Sequence, residues 1–150
     1  MKSAHNRTSI GAIPISSLSV LVLFKESWLF VTDNTNVRWV KIFQLYKGFH
    51  RTQTSIGFFV KGSARIVEPP RIEYKGFKYK FSIKGDIVRM LLVRSSSFEK
   101  NPTNSRVKFT NNSGLTIKKK SDLKSKYING PVSRKLNRRK LLTLFSRVVY

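Results

Sequence analysis

Between Trp28 and Val93 the chain is cut by Gly, Pro, Asn and Asp into short apolar or alternating runs: Trp28–Val31, Val37–Leu45, Phe58–Val67 and Ile87–Val93. Runs of this length closed by turn formers have the reach of strands rather than of amphipathic helices. In the second run, Val37, Trp39, Lys41, Phe43 and Leu45 fall on one face and Arg38, Val40, Ile42 and Gln44 on the other. This mixed period-two pattern is that of a small barrel strand. Asp33-Asn34-Thr35-Asn36 before it is a turn. Lys84-Gly85-Asp86 is a second, where Gly supplies permissive dihedrals and Asp a local side-chain acceptor.

After Arg94 a polar loop containing Pro102 leads to two short strands, around Val107–Phe109 and Leu115–Ile117, and Lys118–Lys120 begins another loop. Beyond Pro131 the period changes. Leu141, Leu144, Phe145 and Val148 recur at helical spacing, while Arg138, Arg139, Lys140 and Arg147 are placed to stay wet. The expectation is an all-β protein, a small β-barrel with a short helical C-terminal segment. A length of 150 residues suits one such domain, 28–150, preceded by a divergent extension or presequence over 1–27.

Thirty Lys and Arg against seven Asp and Glu give a formal net charge of +23. A hydrophobic share of 40% is too high for a disordered basic tail, so the charge coats a fold and calls for a polyanion. Nucleic acid fits best, because every phosphate neutralised by Lys or Arg releases condensed counterions. An anionic membrane prefers a basic amphipathic helix to basic strands. The uncharged stretch Thr8–Phe24 is too short, and too interrupted by Pro14 and serines, for a spanning helix.

Catalysis has little to work with. Cysteine is absent, which removes disulfides, thiol nucleophiles and Cys-based zinc sites. His5 and His50 lack metal-ligand spacing and an orienting carboxylate. Asp33 and Asp86 sit in turns, Glu68 precedes Pro69-Pro70, and Glu26, Glu73, Glu99 and Asp122 stand isolated among cations. No Gly-rich phosphate loop occurs, since Lys84-Gly85-Asp86 lacks the preceding glycine and the following hydroxyl. The expectation is a non-enzymatic protein with no cofactor and no metal.

The working parts are then basic. Lys75, Lys78, Lys80 and Lys84 interleave with Tyr74, Phe77, Tyr79 and Phe81, offering cations to phosphate and rings either to bases or to the core. Arg106, Lys108, Arg134, Lys135, Arg138 and Arg139 form a second set. The candidate RNA-contacting residues are Lys47, Arg51, Lys78, Lys80, Lys84, Arg94, Arg106, Lys108, Arg134, Arg138 and Arg139. Residues with AT-rich codons (Phe, Tyr, Met, Ile, Asn, Lys) are twice as common as Gly, Ala, Arg and Pro together. With a basic, Ser-rich first thirty residues, this points to an organelle.

Several segments, in order and spacing, resemble the universal large-subunit ribosomal protein family L-fourteen from about Trp28 to Tyr150. The family's strand into an Ala-Asp-Asn-Ser/Thr-Gly turn is similar to Val31-Thr32-Asp33-Asn34-Thr35-Asn36, with Asn36 in place of the glycine. Its Ser-Ile-Gly segment resembles Ser55-Ile56-Gly57. Its Lys-Lys-Gly-Asp-Val turn and valine-rich strand resemble Ile83-Lys84-Gly85-Asp86-Ile87-Val88 running to Arg94. Its Gly-Pro-Val-x-Arg-Glu-Leu motif resembles Gly130-Pro131-Val132-Ser133-Arg134-Lys135-Leu136, and Lys108-Phe109-Thr110-Asn111-Asn112-Ser113 matches a further basic-Phe segment.

The resemblance implies a five-stranded barrel seated on large-subunit ribosomal RNA at the intersubunit face. It also implies contacts with small-subunit RNA in bridges, with ribosomal proteins of the L-nineteen type and with a ribosome-silencing factor, and no membrane partner. The expected setting is the large subunit of a mitochondrial ribosome. The alternative is a free-standing organellar RNA- or DNA-binding barrel, a nucleoid or RNA-maturation factor.

Overall fold

The computed structural model describes residues 23–46, 48, 50–69, 81–100, 106–117, 124–125, 128–133, 136 and 148–149. Strands run in chain order β1 (Leu23–Phe24), β2 (Trp28–Val31), β3 (Val37–Leu45), β4 (Gln53–Thr54), β5 (Phe59–Val67), β6 (Ile87–Arg94), β7 (Glu99–Lys100), β8 (Arg106–Val107), β9 (Ser113–Thr116), β10 (Val132–Ser133) and β11 (Val148–Val149). No helix occurs among the described residues.

Strands β2, β3, β5, β6 and β9 close into a five-stranded barrel in that order. All neighbours are antiparallel except β2 and β9, which close it in parallel through Phe30↔Ser113 and Val31↔Gly114. Closure leaves no unpaired sheet edge in the central layer, and so no template for edge-to-edge association. The β1 strand, ahead of Trp28, pairs with β4 outside the barrel.

The interior is filled by Leu29, Val31, Val40, Ile42, Val60, Met90 and Leu92, all essentially inaccessible. A second cluster lies on the other side of β6, where Leu91 and Val93 pack with Ile56, Leu115, Ile117, Val132 and Leu136. The β6 strand is therefore buried on both faces, which is why Met90-Leu91-Leu92-Val93 reads as an unbroken apolar run rather than an alternation.

The expected face pattern of β3 does not hold along its length. Buried positions are Val37, Val40, Ile42 and Leu45, while Phe43 is exposed and Trp39 half-buried. The register against β5 slips between Val37 and Trp39, Trp39 and Val40, and Ile42 and Gln44. A bulge inserts an extra residue and turns the side chains that follow to the opposite face, so strict alternation fails at each slip. Gly62 in β5 admits this close approach: a Cβ there would run into the Val40 side chain and sit 2.7 Å from the Lys41 carbonyl oxygen.

The helix expected beyond Pro131 falls largely outside the described residues. At its two ends the chain is strand, with Val132 paired in parallel to Val148 and Ser133 to Val149. The β10 side chains are buried, Val132 among Leu91, Val93 and Leu115, a setting that favours a strand at the start of this segment.

Candidate nucleic-acid interface

Two turns anchored by carboxylates set the ends of the barrel strands. Asp33 Oδ1 accepts from the Thr35 amide at 3.0 Å and from the Thr35 hydroxyl, which closes the β2–β3 turn locally. At the β5–β6 end, Asp86 Oδ2 accepts from the Ile83 amide at 2.9 Å. Gly85 there takes φ 98°, and its amide donates to the Ala64 carbonyl at 2.8 Å. That geometry lifts Lys84 to an exposed tip, flanked by exposed Ile83 and Ile87.

Asn36, at the glycine position of the turn, links segments on either side of residues 70–80. Its Nδ2 donates to the Ser82 carbonyl at 2.8 Å, and its Oδ1 accepts from the Ser82 amide at 3.3 Å. Its own carbonyl accepts from the Glu68 amide at 2.8 Å. Beside it, Arg38 makes a bidentate pair with Glu68, both contacts at 2.6 Å. The end of β5 and the backbone at Ser82, on either side of the aromatic, lysine-rich segment, are thus both clamped to the start of β3.

Four acids, Glu26, Asp33, Glu68 and Asp86, serve the chain itself. Glu26 pairs with Lys41 at 2.6 Å, and the hydrogen bond and charge of Lys41 hold its carboxyl below the ordinary range although it is exposed. Glu68 binds Arg38, Asp86 caps its turn, and Asp33 is buried. Among the described residues no three His, Cys, Asp or Glu gather as a metal site.

Of the expected contact residues, Lys84, Arg106 and Lys108 are exposed. Arg106 lies on the β7–β8 hairpin opposite Lys100, and the Lys108 ammonium sits 5.1 Å from the Phe98 ring centre. Arg51 is half-buried, 4.6 Å over Phe58, with its Nε donating to the Gln53 carbonyl at 2.7 Å. Lys47, Lys78, Lys80, Arg134, Arg138 and Arg139 lie outside the described residues.

Arg94 is placed differently from the expectation of a surface phosphate ligand. It is 8% exposed, its Nε donates to the Pro131 carbonyl at 2.6 Å, and a terminal nitrogen donates to the Asn129 carbonyl. Burial pushes its pKa down from the ordinary value. The guanidinium fork clasps the segment 129–131 to the end of β6, so its contribution is to the fold.

Sequence reasoning passed over a further group on the outer wall. Arg89 lies 5.0 Å from both the Tyr46 and Phe59 ring centres, the two rings meeting edge-on at 6.3 Å, and Lys61 lies 5.7 Å from Tyr46. The signal available was Lys61 and Arg89, each set among apolar neighbours in its own run. What joins them is the β5–β6 register, Lys61↔Arg89. On this closed barrel Lys84, Arg106 and Lys108 are exposed, while Glu26, Asp33, Glu68 and Asp86 are engaged within the chain. A family model for ribosomal protein L14p/L23e matches residues 22–149, and the chain belongs to that family.

Proposed function

We propose that the protein is a structural constituent of an organellar large ribosomal subunit, binding large-subunit ribosomal RNA at the intersubunit face and contributing to subunit bridges. Mitochondrial translation is the setting that the AT-biased residue usage and the basic, Ser-rich first thirty residues support. The partners proposed with it are small-subunit RNA across a bridge, a neighbouring protein of the L-nineteen type and a ribosome-silencing factor. Membership in a ribosomal protein family supports this reading.

The observation that carries it is the division of charge. The chain has a net charge of +23, and Glu26, Asp33, Glu68 and Asp86 are each engaged by groups of the same chain, which leaves outward Lys and Arg to meet phosphate. Arg presents a planar fork to phosphate and Lys a mobile point charge, while a rigid closed barrel fixes where both stand. The working contacts in this reading are Lys84, Arg106 and Lys108, with Lys47, Arg51, Lys78, Lys80, Arg134, Arg138 and Arg139.

Sedimentation of organelle lysate through a gradient at moderate salt tests it. The chain should comigrate with large-subunit RNA at near-unit stoichiometry. A slow, substoichiometric peak would instead identify a free-standing nucleic-acid-binding barrel.

A further inference from the structure

Trp28 and Phe30 alternate along β2 with the interior residues Leu29 and Val31, so their rings lie on the outer face of the barrel. Register sets Phe30 opposite Trp39 on β3, and Trp39 opposite Ile66 on β5. The rings meet edge-on, Trp39 lying 5.3 Å from Phe30 and 6.4 Å from Trp28. Trp28 is 48% exposed and Ile66 52%, so the row leaves two large apolar side chains half open to solvent. An ion pair stands at each end of it. Lys41, opposite Trp28, binds Glu26 at 2.6 Å, and Arg38, next to Trp39, binds Glu68 at 2.6 Å. Exposed Arg65 adds to the attraction on Glu26. Glu26 reaches Lys41 from a left-handed backbone, φ 69°, which residues other than glycine rarely adopt.

The charges decide between the two occupants that exposed rings attract. Unpaired RNA bases stack on rings where a positively charged groove tracks the phosphates. Beside this row Arg38 and Lys41 are engaged by carboxylates of the same chain, which places two of its seven acids here. A phosphate chain crossing the rings would meet both carboxylates, a like-charge juxtaposition that turns wrong partners away. A protein interface has the make-up that is present: large aromatic and aliphatic side chains at the centre, polar groups at the rim.

We propose that this face docks an apolar patch of a neighbouring protein, with Trp28, Trp39 and Ile66 as anchors and the Glu26–Lys41 and Arg38–Glu68 pairs as the rim. The ribosomal reading above assigns no residue to a protein neighbour. This face supplies the site, and it rests on that reading only for the particle in which the partner is sought.

Trp28 and Trp39 are the chain's two tryptophans, so its tryptophan emission reports this face alone. Titration of the full chain with oligouridylate should leave that emission unchanged while the anisotropy of the labelled RNA shows binding. Emission that changes and saturates with the RNA would seat bases on the rings and overturn the proposal. The partner is read by placing p-benzoylphenylalanine at position 66 of the full chain in assembled large subunits. Irradiation should join it to one aliphatic-rich peptide of another protein, and the same peptide should be reached from position 28. Trp28→Ser should lower the yield from position 66 about tenfold, the loss that removing one aromatic anchor causes, with the urea midpoint and RNA comigration at wild-type values. An adduct to RNA, an adduct to this chain or a second copy of it, no adduct, or a yield indifferent to Trp28→Ser overturns the protein partner. A chain that sediments apart from large-subunit RNA overturns the functional reading instead, and irradiation of that slow fraction still judges this face by the same outcomes.

Discussion

The carboxylate of Asp33, 1% exposed, accepts hydrogen bonds from both the backbone amide of Thr116, at 2.7 Å, and the Thr116 hydroxyl, across a sequence separation of 83. It fastens the β2–β3 turn to the far end of β9, beside the parallel pairing that closes the barrel. Asp33→Ala strands the buried Thr116 amide and should cost about 2–3 kcal/mol, whereas Thr116→Val removes only the hydroxyl bond and should cost about 1 kcal/mol. Urea unfolding checks both; equal losses would mean that the backbone bond carries no weight.

Arg94 and Lys108 should separate by the kind of defect they cause. Arg94→Lys cannot reach the Pro131 and Asn129 carbonyls with a fork, so the urea midpoint should fall while the salt slope of RNA binding stays at the wild-type value. Lys108→Gln should leave the midpoint unchanged and lower the salt slope by about one unit. A reversed pattern would return Arg94 to the phosphate-contacting set.

Two glycines fail for different reasons. Gly62→Ala drives a methyl into Val40 and the Lys41 carbonyl and should cost about 3 kcal/mol, the upper range for overpacking. Gly85→Ala meets open space and suffers only the strain of φ 98°, about 1 kcal/mol. Thermal unfolding should rank them in that order.

The Glu26–Lys41 pair gives a pH signature. The folded protein holds the Glu26 carboxyl below its ordinary value of 4.5, so the pair stabilises the fold above that pH and is lost as pH falls through the depressed folded value. The stability difference between wild type and Glu26→Gln should be constant at neutral pH and shrink on acidification below 4.5. A difference that persists in strong acid would attribute the effect to something other than the ion pair.

Strand positions were legible because they depend on local pattern. The runs Trp28–Val31 and Val37–Leu45 coincide with β2 and β3. The next two differ by a single residue, β5 beginning at Phe59 and β6 extending to Arg94. The turns at Asp33 and Asp86 were legible for the same reason, since an Asp accepting an amide two or three residues away is a short-range event. Less was legible of the interface. An Arg at the end of an apolar run looks the same whether it meets solvent or carbonyls, and the carbonyls that claim Arg94 come from residues 129 and 131.

The sequence by itself determined that this chain is a basic, cysteine-free β protein with strands in known places and a resemblance to one ribosomal family, because composition and periodicity are properties of neighbours along the chain. Only the tertiary structure decided which residues face one another: the slips that turn Phe43 outward, the Lys61–Arg89 register and the Asp33–Thr116 fastening. These follow from closing five strands into one barrel, where each register must satisfy both neighbours at once, and no local stretch of sequence contains that condition.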